Sequence, residues 1–270
     1  MDKINQYLME NPEEAVRLDV KTDPDSVRKQ AQLLGIGPGA RVLDVGCGSG
    51  KTTSILHEII QPGGSIVGVD FSEDRLKYAR QRFMNTEGIE FRRHDFTKPL
   101  TDLGQFDFIW IRFVLEYFSK ETPDIIKNVT NCLKTDGYLC LLDLDYNSLT
   151  HYPLPPQMDL IFQLIMKRMM EKYNFDPFVG RKLYSYVYDL GFRDIEMFLV
   201  PHHLIYGELK SSDDFNWFKK VQMISVKAVD LFETYPGGSE GLLNDFNIFF
   251  HDPRRFTYTP LIICKGKKPL

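Results

Sequence analysis

The stretch Val42-Leu43-Asp44-Val45-Gly46-Cys47-Gly48-Ser49-Gly50-Lys51-Thr52 constrains the fold more than any other. A short apolar run meets alternate glycines and then a helix-forming segment, which predicts a buried strand turning sharply into a helix. Glycine tolerates positive φ and lets backbone N–H groups approach a ligand at the helix start. The alternation continues downstream. Strands are predicted over Arg41–Val45, 65–69, Ile89–Arg93, 106–111 and 138–144. Between them lie helices over 52–60, after the capping residue Ser72, and over 123–133. Such spacing implies right-handed crossovers and a parallel, doubly wound Rossmann-like α/β sheet. The almost unbroken apolar run at 138–144 predicts a strand buried on both faces.

The flanks differ from this core. Asn11-Pro12-Glu13-Glu14 and Asp23-Pro24-Asp25 each combine a cap, a proline at the first helical position and acids at the positive end of the dipole. Residues 1–35 therefore read as a helical cap ahead of a core over 36–145. Beyond Asp145, helices are expected over 158–173, 181–190, 215–232 and 242–250, with strands over 195–200 and 256–264. The chain 1–270 reads as one domain. Its helical insertions, 146–190 and 202–250, form a lid over the substrate site, and 256–264 is the last strand.

Composition excludes several classes. With 33 basic against 37 acidic residues the net charge is −4, the wrong sign for a dedicated nucleic-acid binder. The four cysteines form no C-x-x-C pair, as expected of reduced thiols in an intracellular protein. Met1-Asp2-Lys3-Ile4-Asn5 lacks the apolar core of a secretory signal. No uncharged apolar run approaches the ~18 residues of a membrane span. The expected setting is soluble and cytoplasmic.

The glycine spacing narrows the ligand. A dinucleotide fingerprint, G-x-G-x-x-G, needs a third glycine where Lys51 stands, and a phosphate loop, G-x-x-x-x-G-K-[ST], needs one where Val45 stands. Asp44, two residues before the glycines, would repel phosphates and favour a cationic ligand. S-adenosyl-L-methionine carries an ammonium and a sulfonium. Asp70 ends the second strand, where a carboxylate can accept both ribose hydroxyls, as fits NAD equally well. Asp95 could accept the amine of an adenine, with Phe71 and Phe96 sandwiching the ring.

These residues resemble the class I S-adenosylmethionine-dependent methyltransferases. The resemblance rests on Val42 to Gly50, Gly68-Val69-Asp70, His94-Asp95, Phe106-Asp107-Phe108-Ile109 and Leu133-Lys134-Thr135-Asp136-Gly137-Tyr138-Leu139. Val179-Gly180-Arg181 and Leu190-Gly191-Phe192 extend it weakly toward a small-molecule branch that includes quinone-biosynthesis enzymes. It implies a seven-stranded mixed sheet whose last strand runs antiparallel between its neighbours. It also implies that Gly46, Gly48 and Gly50 line the methionine part, Asp70 the ribose and Asp95 the adenine. Thr135-Asp136-Gly137 stands where the family often has Pro-Gly-Gly.

Methyl transfer from a sulfonium is an in-line displacement that depends chiefly on alignment, so no catalytic triad is required, and none is readable. The segment after the fourth strand, including Ile111 and Arg112, should border the methyl group. Glu116, Tyr117 and His151 are candidates for a base. Arg112 and Glu116 could instead form an ion pair on a helix start. His202-His203 is set aside as a metal pair because neighbours in a strand point to opposite sides, and no metal is expected. The acceptor is read as a small, partly apolar or aromatic molecule under a Met- and Phe-rich lid. Plain core or a homodimer face is the competing reading of that surface. A methyltransferase acting on protein or RNA, or a non-catalytic cofactor-binding module, is the alternative function.

Overall fold

The computed structural model describes residues 14–227, 229–232 and 234–269. The helix start at Asn11-Pro12-Glu13 lies outside the described residues. The helix that follows, α1, runs Glu14–Lys21. Helix α2 (Pro24–Leu33) begins as its sequence dictates: the Asp23 carboxylate accepts from the Asp25 and Ser26 N–H groups, with Pro24 in the first turn.

The core alternates strand and helix: β1 (Arg41–Val45), α3 (Lys51–Ile59), β2 (Ser65–Asp70), α4 (Glu73–Phe83), β3 (Ile89–Arg93), β4 (Phe106–Arg112), α5 (Thr122–Thr130) and β5 (Leu133–Leu144). Then follow β6 (His151–Tyr152), α6 (Pro156–Tyr173), α7 (Leu183–Asp189), β7 (Arg193–Tyr206), α8 (Ser211–Lys227), α9 (Gly238–His251) and β8 (Phe256–Lys267). The sheet order is β3-β2-β1-β4-β5-β8, with β7 on the other edge of β8. Strands β1 to β5 pair in parallel, and β8 runs antiparallel to β5, β6 and β7. The expected arrangement holds, with one addition: the two-residue β6 makes eight strands by extending the β5 side of β8.

Both faces of the sheet are covered. Leu43, Val45, Ile109 and Ile111 pack against α5 and α7 through Ile125, Val129, Leu183 and Val187. On the reverse face Val42, Ile66, Trp110 and Leu142 meet Val27, Ala31 and Leu56 of α2 and α3. Burial on both sides explains why these strands read as continuous apolar runs.

The second half departs from expectation in two places. The segment 202–206 belongs to β7, so the second insertion starts after the strand. Pro201 interrupts the strand signal in the sequence, and here it sits at a register shift on a strand that borders only β8, where a missing N–H is tolerated. The helix expected over 215–232 is instead α8 followed by a 3-10 turn, Val229–Phe232. Helices α6, α8 and α9 enclose an apolar core of their own, including Met158, Phe162, Met166, Trp217, Phe246 and Phe250. Among the described residues no helix is long and apolar enough to cross a membrane.

Candidate active site

A cavity opens at the C-terminal ends of β1, β2 and β4, the crevice where doubly wound sheets bind ligands. Its floor is the glycine loop. Gly46 (φ +76°) and Cys47 both donate their N–H to the Val69 carbonyl, at 2.7 and 3.0 Å, which folds the loop over β2. A Cβ at Gly46 would stand 2.3 Å from a Val114 methyl, so the close approach of that wall requires glycine. Gly50 serves packing instead: a Cβ there would meet Phe91 and Ala79 at 2.7 and 2.9 Å. Gly46 and Gly48 line the cavity, whereas Gly50 does not.

Asp70 stands beside this floor, 3% exposed. One oxygen accepts the Gly48 N–H at 2.9 Å. The other accepts the Ser72 N–H and a buried ion pair from Arg75 Nη2, each at 2.9 Å. Arg75 also lies over the Phe71 ring, 5.1 Å from its centroid. Phe71, Phe96 and Phe118 form the adjoining apolar wall. Their rings meet edge to face at 5.5–6.4 Å, a favourable geometry for aromatic pairs. Phe71 and Phe96 pack edge to face on one another, and both line the cavity.

The other wall is cationic. Arg17, Lys21 and Arg112 line it with Phe113 and His202. Arg112 donates to the Gln30 amide oxygen at 2.9 Å and stacks over Phe113 at 4.1 Å. Lys21 lies over the same ring at 5.6 Å. The ion pair between Arg112 and Glu116 raised from their spacing is not formed. Glu116, 3% exposed, turns away and accepts from Asn147 Nδ2 at 2.6 Å.

Several expected site residues fall elsewhere. Asp44 is 2% exposed, outside the cavity lining, and accepts the Thr53 hydroxyl at 2.6 Å. Burial pushes its carboxyl up to about 7, against the pull of Thr53 and Arg112. Asp95 caps its own turn through Thr97 and pairs with Lys98 at 3.1 Å. Ile111 is fully buried in the sheet core. Neither lines the cavity. Tyr117 does line it, while His151 packs at 5.0 Å from Trp217 in the helical insertion. Arg17, Lys21 and Arg75 were missed in the sequence. The signal for Arg75 is its place in the first turn of α4, five residues after Asp70, where it reaches back to that acid.

The two adjacent histidines differ from expectation as well. At the register shift in β7 an extra residue is accommodated, and the His202 and His203 rings sit 4.2 Å apart instead of on opposite faces. His203 Nδ1 lies 3.2 Å from the Thr259 hydroxyl and His151 Nδ1 2.9 Å from that of Thr257. Among the described residues no group of His, Cys, Asp or Glu could hold a metal ion. Burial, helped by the nearby charge of Lys220, pushes both His151 and His203 down to about 3. Both values lie below the ordinary 6.5 of the unfolded chain. Between pH 6.5 and 3 the unfolded state therefore binds protons the folded state refuses, and stability falls as pH drops through that window. We expect His203→Gln to flatten the loss of urea midpoint between pH 7 and 4.5. An identical slope in the variant would show that His203 does not titrate in this way.

Comparison with known proteins gives the class. The family described as "Methyltransferase domain" matches residues 36–186, and the chain belongs to that family. The likeness to class I S-adenosylmethionine-dependent methyltransferases is borne out. A protein of transposon Tn4556 from Streptomyces fradiae is 28% identical over 188 residues, covering 67% of this chain and 52% of that protein. The demethylmenaquinone methyltransferase of Lactococcus lactis is 28% identical over 158 residues, covering 57% of this chain and 56% of the other. The chain thus spans about half the length of the curated relatives it matches. In fold it is similar to Haemonchus contortus phosphoethanolamine N-methyltransferase 2, solved with S-adenosyl-L-methionine. The TM-score is 0.56 at 16% identity, over 91% of this chain and 53% of that one.

Proposed function

We propose that the protein transfers a methyl group from S-adenosyl-L-methionine, by in-line displacement, to a small, partly apolar acceptor. The observation that carries this is the polarity of the cavity. A wall of three phenylalanines suits an adenine, Asp70 beside it suits a ribose diol, and Arg17, Lys21 and Arg112 opposite suit an amino-acid carboxylate. The Gly46 and Gly48 backbone lies on the floor between. Asp70 would exchange Arg75 for the sugar hydroxyls, while the Gly48 N–H keeps the carboxylate aimed.

When bound, the cofactor supplies an already activated methyl group. The protein's own residues then have to align the acceptor and keep water out. Val114, Tyr117 and His202 line the cavity beside the glycine floor and would form the rim past which an acceptor approaches. Tyr117 packs on Phe175 at 5.6 Å, which joins this rim to the insertion helices. Of the candidate bases, Tyr117 is the one in the lining. Glu116 and His151 lie outside it. The Met- and Phe-rich core of α6, α8 and α9, which Tyr117 joins to this rim, supports the small, partly apolar reading of the acceptor.

Calorimetry with S-adenosyl-L-methionine, NADH and ATP tests the cofactor, and labelled methyl transfer into fractionated cell extract tests the acceptor. We expect binding of the first ligand only, and label in the small-metabolite fraction. Binding of NADH or ATP in its place would overturn the cofactor assignment. Label confined to protein or RNA would overturn the acceptor class.

A further inference from the structure

Strand β8 divides its side chains between two surroundings. Thr257, Thr259, Leu261 and Ile263 point inward and are fully buried. The alternate positions, Phe256, Tyr258, Pro260 and Ile262, point to the other face. A strand with one buried face normally turns polar residues outward, yet this outward set holds no charged residue. The neighbouring strands repeat the pattern, because residues paired across a ladder share a face. Tyr206 of β7 and Tyr152 of β6 flank Phe256, Leu204 stands beside Tyr258, and Leu199 beside Ile262. The 3-10 turn Gly180–Lys182 and α7 cover the same face further along: a Cβ on Gly180 would stand 2.9 Å from Ile262, and one on Gly266 2.5 Å from Val187. Toward Phe256, and across β7, the face is open. Tyr152, Leu199 and Tyr206 are 72%, 70% and 67% exposed, Leu204 51%, and Phe256 and Tyr258 40% each.

Size argues that this face is half of an interface. At about 200 Å² for a fully exposed large side chain, these six expose on the order of 600 Å². Exposed Pro201 and Met197 extend the patch along β7. The largest apolar patch of a monomer is roughly 300–600 Å², and each side of a standard protein interface buries about 800 Å². Its chemistry points to a second copy. With no charge in these rows, nothing on the face selects a partner of opposite charge, and the Lys and Arg that draw a helix or loop to lipid headgroups are missing from it. A bare apolar face is complementary to itself, as a two-fold contact requires. Pro201 and the register shift beside it interrupt the outer edge of β7, so a partner settles on the face and does not add a strand to the edge.

We propose that two copies of this chain associate through this face, with β7 and β8 of one packed on β7 and β8 of the other about a two-fold axis. The contact is sheet on sheet, with Leu199, Tyr206 and Phe256 interleaved with their counterparts. It shares no residue with the lining of the cofactor cavity, and it stands independently of the methyl-transfer reading.

Sedimentation velocity and light scattering on the whole protein at micromolar concentration test this. The wild type is expected at twice the chain's 31.4 kDa. Leu199→Asp and Tyr206→Asp should each be monomeric at the same concentration, because the contact would bury unpaired carboxylates. Both positions face solvent in the single chain, so each variant should keep the wild-type circular dichroism spectrum and cooperative urea unfolding. Met84→Asp, a change of the same kind at a residue 76% exposed at the end of α4, should leave the dimer intact. A monomeric wild type overturns the proposal, as does a dimer that persists in both charged variants or one that dissociates equally in Met84→Asp. A monomer that sediments with phosphatidylcholine vesicles, and is released by Tyr206→Asp, would assign the face to a membrane surface instead.

Discussion

Gly46→Ala is expected to abolish measurable S-adenosyl-L-methionine binding and to lower stability by about 2–5 kcal/mol. Two effects add. A left-handed φ of +76° costs an ordinary L residue roughly 1–2 kcal/mol. Forcing a methyl group to within 2.3 Å of Val114 adds roughly 1–3 kcal/mol of overpacking. The strain falls on the loop that forms the cavity floor, so binding should suffer more than folding. Gly39→Ala supplies the comparison. Gly39 has φ +80°, but a Cβ there meets nothing within 4 Å. It should show the backbone cost alone, with cofactor affinity intact. Urea denaturation and calorimetry on both variants decide the matter: matching stability losses would mean that Val114 simply moves aside.

Asp70→Ala carries the second large effect. It removes the acid from a buried ion pair whose side chains are each 5% exposed. Removing the carboxylate from that buried pair should cost about 3–5 kcal/mol of stability. On the proposed placement of the cofactor, the same substitution also removes charged hydrogen bonds to the ribose, on the order of 1–3 kcal/mol of binding, or about five- to 150-fold in affinity. The double variant Asp70→Ala/Arg75→Met separates the two. Removing both charges should restore most of the stability, because nothing buried is left unpaired, while cofactor affinity stays low. A double variant that binds S-adenosyl-L-methionine like the wild type would show that Asp70 does not hold the ribose.

The ion pair also bears on the cost of burying this acid. Arg75 lines the cavity together with Asp70 and lies over the Phe71 ring. An acid left bare in that apolar surround would be expensive to desolvate. Arg75 satisfies it through the buried ion pair.

How much of the fold was legible in sequence follows from where the signals are local. Asp23 and Ser72 announce helix starts because capping is settled within three or four residues. The apolar runs of β1, β2, β4 and β5 announce a sheet covered on both faces. The end of β7 was not legible, because Pro201 reads as a break and only pairing with β8 carries the strand on to Tyr206. What Asp44 meets was not legible for a related reason. Its position before the glycines is plain, but whether its carboxylate meets a ligand or Thr53 depends on the path of the loop above it.

The residues alone therefore determined the parallel α/β order, the glycine turn and the acid closing the second strand, since each is encoded by spacing of a few positions along the chain. Only the folded molecule decided which charges reach the cavity. Arg17 and Lys21 arrive from a helix ahead of the core, and Arg75 claims an acid the motif alone leaves free. Burial and long-range proximity set both outcomes, and neither is written in any short window of sequence.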